Sequence, residues 1–319
     1  MGINKHSLKP LSFEGGRIGI IGCDNVSKES VYSLGHCGAV DEVILVGKGQ
    51  HRLFAGIEGL ISEFPLEHPF QISLGTYDYL DKADIVLVAV GVRYSTIKKS
   101  PDRLAENARL VKLVMERLRA VGFGGIVLVM TNPVDEMTQL AQEISGFPVE
   151  RIIGIGGISA SVEGVTRNAR KKTHGAVTWC SAHHSGGQLM DSCQPDCPYF
   201  EEVVEEAKES VMPIGGIGTV ASNSVAACTM RVCEAILRDE HTVLTVSSKP
   251  LGEYGIWGVY MTLPCVISRL GVERIVQFKV PDQERRRLAD RARELAAANR
   301  ELVFDPTQIC PLRAATMQE

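Results

Sequence analysis

A chain of 319 residues is long enough to bury a large core as one two-lobed unit or two closely packed domains. Its 34 Lys and Arg against 38 Asp and Glu, a net charge of −4, leave no basic excess for nucleic acid or an acidic membrane, so a small molecule is the expected partner. No apolar run reaches the length of a bilayer span, and nine scattered cysteines do not make a disulfide framework; a reducing cytoplasm is the expected compartment.

In chain order, MGINKHSLKP lacks the apolar core of a signal peptide, and His6 stands where a myristoylation signal needs Ser or Thr. From Arg17, short β-branched runs alternate with longer amphipathic ones, the pattern of a parallel sheet covered by helices on both faces. RIGIIG, EVILVG, FQISLG, DIVLVAVG and GIVLVMTN are the expected strands. Helices are expected to open near Asn25, to run from about His51 to Phe64, to cover DRLAENARLVKLVMERLRAV, and to follow the Pro133 turn. After RIIGIGG the character changes. A helix from about Ser159, a strand into VTWCSA, two helices between Tyr199 and Leu237, and antiparallel strands HTVLTVSS and IWGVYMTLPCVIS are expected. The last helix, from about Asp282, carries Leu288, Leu295 and Leu302 at heptad spacing, one apolar stripe that serves as a lid on the core. These elements give an α/β fold: a Rossmann-type, doubly wound parallel sheet over residues 1–152, with 1–15 as an extension, and a C-terminal α+β domain over 153–319.

A strand running into GCDNVS and then a helix is where a dinucleotide pyrophosphate would sit on a helix N-terminus. Of the G-x-G-x-x-G pattern that reads it, only Gly22 is present; Asp24 and Ser27 stand at the second and third glycines. The backbone at Gly22, Asn25 and Val26 is the candidate cradle. A carboxylate at position 24 would face the pyrophosphate unless it turns away or pairs with Lys28. The second strand ends VILVGKGQHR, where an acid would hold the ribose of NAD. Gly47 stands there, followed by Lys48, His51 and Arg52. Two readings remain open: a site for the 2′-phosphate of NADP, and a solvated basic turn.

Together, DIVLVAVGVR, TNPVDEMTQLAQEISGFPVERIIGIGG, VTWCSAHHSGG and EAILRDEHTVLTVS with GEYGIWGVYMTLPCVISRLGVERI resemble the lactate/malate dehydrogenase family over about Arg17 to Leu302. The resemblance implies hydride transfer between a nicotinamide cofactor, NAD(P)H, and a 2-hydroxy or 2-keto acid, in a homodimer or homotetramer. It places His184 at the family's proton-shuttling histidine, a role that imidazole suits because it titrates near neutrality. His183 falls at the preceding position and reads as a loop residue. Asn132 matches the asparagine that helps position nicotinamide or substrate, and Gly91 lies at the end of the fourth strand, in the cofactor crevice.

The chain departs from the family at the substrate. Ala160 stands at the aspartate that orients the histidine, and Glu163 at the arginine that clamps the substrate carboxylate. Ser100 stands at the loop-borne arginine, with Lys98 and Lys99 just before it, while Arg93 remains at the start of that loop. A charge reversal at a buried ion-pair position disfavours the ordinary acid by roughly 3–5 kcal/mol, and lysine is a poor replacement for a planar, two-pronged guanidinium. Glu163 could brace His184, could bind a cationic substrate such as an imine, or could be a bystander in a dead site. A zinc site built from His183, His184, Cys193 and Cys197 is disfavoured, because adjacent side chains on an extended segment point to opposite faces. The expectation is an NAD(P)H-dependent oxidoreductase, with NADP slightly favoured, for a substrate that is not a plain 2-keto acid. The alternative is an inactive relative acting as a binding or regulatory protein.

Overall fold

A computed structural model describes residues 16–63, 70–92, 100–156, 219–277 and 282–303. Six short strands, β1 (Arg17–Ile21), β2 (Glu42–Val46), β3 (Gln71–Gly75), β4 (Ile85–Val88), β5 (Ile126–Val129) and β6 (Ile152–Gly154), form a parallel sheet in the order 3-2-1-4-5-6. Helices α1 (Asn25–Leu34), α2 (Gln50–Glu63), α3 (Ser100–Ala120) and α4 (Val134–Ser145) connect them. β1, β2, β4, β5 and β6 are buried at nearly every position because both faces are covered, whereas the edge strand β3 is mostly half-buried, and successive side chains point to opposite faces. Ile18, Ile20, Ile85, Leu87 and Leu128 enter one core with Val31 of α1. Val86, Val88, Val127 and Val129 enter the other with Val111, Met115 and Leu118 of α3.

The sheet continues into three antiparallel strands, β7 (Thr242–Ser248), β8 (Met261–Ser268) and β9 (Gly271–Ile275), joined to β6 through the pair Gly154 and Ser247. Helix α5 (Thr219–Leu237) packs on α1 and β8. Helix α6 (Asp282–Val303) buries Leu288 and Leu295, the stripe expected from the sequence, and packs against α4. Helix α4 serves both halves. Gln139 accepts the Tyr260 N–H at 3.2 Å and a bond from the Asn299 amide, and Asp135 accepts the Thr262 hydroxyl at 3.1 Å. The expected strand IWGVYMTLPCVIS begins only at Met261, because Gly255 and Gly258 turn with positive φ and Leu251 forms a separate bridge to Trp257. Among the described residues no helix is long and apolar enough to cross a membrane.

At the amino ends of the strands, Asp84 accepts the Arg17 N–H at 2.8 Å and returns its own N–H to the Arg17 carbonyl at 2.8 Å. Burial pushes the Asp84 carboxyl up to about 6, against the opposing pull of the Arg17 N–H and charge. A carboxyl raised in the folded state holds its proton more tightly there than in the unfolded chain, so its contribution is full below the unfolded value and is lost as pH rises through about 6. Asp84→Asn keeps an acceptor for Arg17 and removes the charge. Thermal denaturation should show the variant melting about 2–4 °C above the parent near pH 7.5, with the difference closing towards pH 4.

Candidate active site

The candidate site lies at the carboxyl ends of β1, β2, β4 and β5, where the strand order reverses about β1, the place where open α/β sheets bind ligands in a crevice. The turn after β1 begins at Gly22, whose φ of +135° suits glycine. A Cβ there would lie 2.3 Å from the Ala89 carbonyl oxygen, so the ends of β1 and β4 meet too closely for any side chain. Asp24 is the N-cap of α1, with extended backbone, and its Oδ1 accepts the Ser27 N–H and the Ser27 hydroxyl, each at 2.9 Å. The carboxylate therefore turns onto the first turn of its own helix, where the Ser27 pair holds it. The first four N–H groups of a helix have no intrahelical acceptor. Asp24 takes that of Ser27 through its carboxylate, while its carbonyl accepts the Lys28 N–H as the first bond of the helix; those of Asn25 and Val26 are the donors that a ligand at this helix end would use.

The turn after β2 keeps glycine at Gly47 and Gly49, with φ of +138° and +92°. A Cβ on Gly47 would be 3.6 Å from Cys23 Sγ, which places this turn beside the one after β1. Lys48, His51 and Arg52 are all exposed. Burial first, and the Asp24 charge second, push the Cys23 thiol up.

At the ends of β4 and β5 the structure adds two residues that the sequence reading missed. Asn107 of α3 is 9% exposed; its Oδ1 accepts the Val92 N–H at 2.9 Å and its Nδ2 donates to the Asn132 carbonyl at 2.7 Å. Buried Thr131 donates its hydroxyl to the Val90 carbonyl at 2.6 Å. These bonds fix the segments carrying Gly91 and Asn132, both of which are exposed at the crevice. The signal for Asn107 was present in the sequence. It lies on the same helix stripe as Val111, Val114 and Leu118, and a polar side chain on a buried stripe needs a partner.

The structure thus brings Gly22, Asn25, Val26, Gly47, Lys48, Gly91 and Asn132 to one edge of the sheet. Ser100 opens α3, and its side chain lies outside the described residues, as do Arg93, Lys98, Lys99, Ala160, Glu163, His183, His184, Cys193 and Cys197. Among the described residues no group of three or more His, Cys, Asp or Glu could hold a metal ion. A dinucleotide fits the tight turn at Gly22, the helix-end N–H groups of Asn25 and Val26, and the fixed Asn132 loop. Among the described residues at this turn, Asp24 is the group whose charge opposes it.

A doubly wound sheet with these strand-end turns defines the dinucleotide-binding class. The chain matches the family described as lactate/malate dehydrogenase, NAD binding domain, over residues 16–154, and that described as lactate/malate dehydrogenase, alpha/beta C-terminal domain, over residues 141–304. The chain belongs to the lactate/malate dehydrogenase family, a family of nicotinamide-dependent oxidoreductases. It is 26% identical to L-lactate dehydrogenase 1 of Clostridium acetobutylicum over 300 residues, covering 88% of this chain and 96% of that one. It is 27% identical to an L-lactate dehydrogenase of Clostridium perfringens over 309 residues, 90% and 98% of the two chains. Its fold is similar to the ligand-bound minor L-lactate dehydrogenase of Enterococcus mundtii, with a TM-score of 0.79, 22% identity and coverage of 91% and 99%. It is also similar to the malate dehydrogenase of Salinibacter ruber, with a TM-score of 0.74, 21% identity and coverage of 90% and 97%.

Asn107→Ala leaves the Val92 N–H and the Asn132 carbonyl without their side-chain partner, and should cost about 1–3 kcal/mol. The expected result is a lower melting temperature together with faster hydrogen exchange at the Val92 amide. An unchanged Val92 exchange rate would show that Asn107 does not fix this loop.

Proposed function

We propose that this protein is an NAD(P)H-dependent oxidoreductase whose substrate is not a plain 2-keto acid, with an iminium or a neutral ketone as the preferred class. The observation that supports an active enzyme is the bracket at the ends of β4 and β5: Asn107 bonds the Val92 N–H and the Asn132 carbonyl, and Thr131 bonds the Val90 carbonyl, so the segment carrying Asn132 is fixed in place. Alignment with the family adds a specific charge reversal, Glu163 for arginine. When bound, the nicotinamide supplies or accepts the hydride. His184 gives or takes the proton, Glu163 contacts the substrate, and Asn132 orients the reacting groups. Arg93 and Ser100 are the further substrate-binding residues of this reading. A carboxylate at position 163 repels a second carboxylate and favours positive charge, which an iminium carries at the carbon that takes hydride.

The exposed Lys48, His51 and Arg52 after Gly47 support NADP over NAD, because a 2′-phosphate gains from cations where NAD needs an acid. A homodimer or homotetramer accompanies the reading, as the family resemblance implies. One observation favours a noncatalytic binding or regulatory protein instead: the Asp24 carboxylate on the first turn of α1.

Thermal denaturation with NADH and with NADPH separates the two readings, since a ligand at a hundred times its Kd stabilises the native state by about 2.7 kcal/mol. A shift with either cofactor, larger with NADPH, is expected; no shift with either would select the noncatalytic reading. With cofactor bound, cyclic imines and neutral ketones should turn over faster than 2-keto acids. His184→Ala should then lower kcat by about 10²–10⁴, and Glu163→Gln should raise KM for a cationic substrate. Equal kcat in the parent and His184→Ala would remove His184 as the proton donor.

A further inference from the structure

Asp24 stands where the family's turn has its second glycine, and its carboxylate is not free to swing. Oδ1 accepts both the N–H and the hydroxyl of Ser27 at 2.9 Å, Ser27 is fully buried, and the Asp24 carbonyl accepts the Lys28 N–H at 3.1 Å. A helix N-terminus attracts anions through its unpaired N–H groups and the positive end of its dipole. In this chain part of that attraction is already used by a covalently attached anion, because Asp24 takes one donor outright and places a full negative charge beside the N–H groups of Asn25 and Val26. The Asp24 charge reaches across the turn: after burial, it is the second cause that raises the Cys23 thiol.

We propose that Asp24 is a built-in counter-anion of α1 that determines dinucleotide affinity, weakening the hold on the pyrophosphate without removing the cradle. This rests on the reading that the ligand of the crevice is a nicotinamide dinucleotide. The pyrophosphate approaches Asn25 and Val26 against the field of a carboxylate fixed at the same helix end. Relatives with glycine there meet no such field. Asp24 is thus an affinity-determining residue, and it acts on binding of either cofactor, since both carry the same pyrophosphate.

Two variants separate charge from shape. Asp24→Asn keeps a strong N-cap, so α1 stays formed while the charge is lost. Asp24→Gly restores the family residue and removes both charge and side chain. Kd values for NADH and NADPH, measured by isothermal titration calorimetry, should fall on the order of tenfold in Asp24→Asn, equivalent to about 1.4 kcal/mol, and at least as far in Asp24→Gly. The gain in Asp24→Asn should shrink as salt is raised, because the repulsion it removes is screened within about 10 Å at 0.1 M. Binding confined to the two variants would support the effect of the Asp24 charge and, with the parent silent, select the noncatalytic reading of the protein. Parent and variants binding with the same Kd would overturn it and leave the proposed function standing. Absence of binding in all three proteins would overturn both, and circular dichroism of the variants would verify that α1 and the fold are retained.

Discussion

One buried amide spans the floor of the crevice. Asn107 reaches from α3 to the N–H of Val92 beyond β4 and to the carbonyl of Asn132 beyond β5, so a single planar group fixes the spacing of two loops. Neither loop belongs to the sheet, and the in-register pairing of β4 with β5 ends at Val88 and Val129. Past that point the backbone would be free to splay. Thr131, bonded to the Val90 carbonyl, pins the same junction from the β5 side. The geometry at Asn132 therefore depends on two neutral side chains that do no chemistry, and on α3 keeping its place over the sheet through Val111, Met115 and Leu118.

The parallel strands were legible because burial on both faces leaves unbroken apolar runs of four or five residues between turn signals. All five expected runs form strands, and α1 to α4 open within a few residues of where caps and periodicity put them. Two strands left no such trace. β6 is three residues long, and its glycine belongs equally to the following turn. β9, GVERI, exposes Glu273 and Arg274 as the last strand at the sheet edge, so its pattern reads as loop. Each was recoverable only through its pairing partner, which a local pattern does not contain.

The site was legible in unequal parts. Gly22 and Asn132 announce themselves, the first by its strand-end setting and the second by the Asn-Pro turn. Asp24 was visible as a wrong residue for a pyrophosphate, and the answer to where it points also lay in the sequence. An aspartate immediately before a helix, with serine three positions on, is an N-cap that bonds the third N–H. The dinucleotide pattern and this simpler capping pattern overlap in the same six residues. The acid-base and substrate positions rest on alignment with the family, because charge and identity can be read at Ala160, Glu163 and His184 while their neighbours across the cleft cannot.

The two changes at the dinucleotide turns act in opposite directions on the same ligand. At α1, an added carboxylate lowers the attraction for the pyrophosphate. At the end of β2, the loss of an acid at Gly47 and the gain of exposed Lys48, His51 and Arg52 raise the attraction for negative charge near the adenine ribose. Taken singly, each departs from the NAD-binding pattern. On the proposed NADP reading, the two together move binding energy from the phosphates that NAD and NADP share to the one phosphate that only NADP carries. Weakening the common contact lowers both affinities by the same factor and leaves their ratio unchanged, so the ratio falls to the β2 turn alone. On the proposed reading Asp24 sets how tightly either cofactor is held, and the turn after β2 alone sets which of the two is preferred.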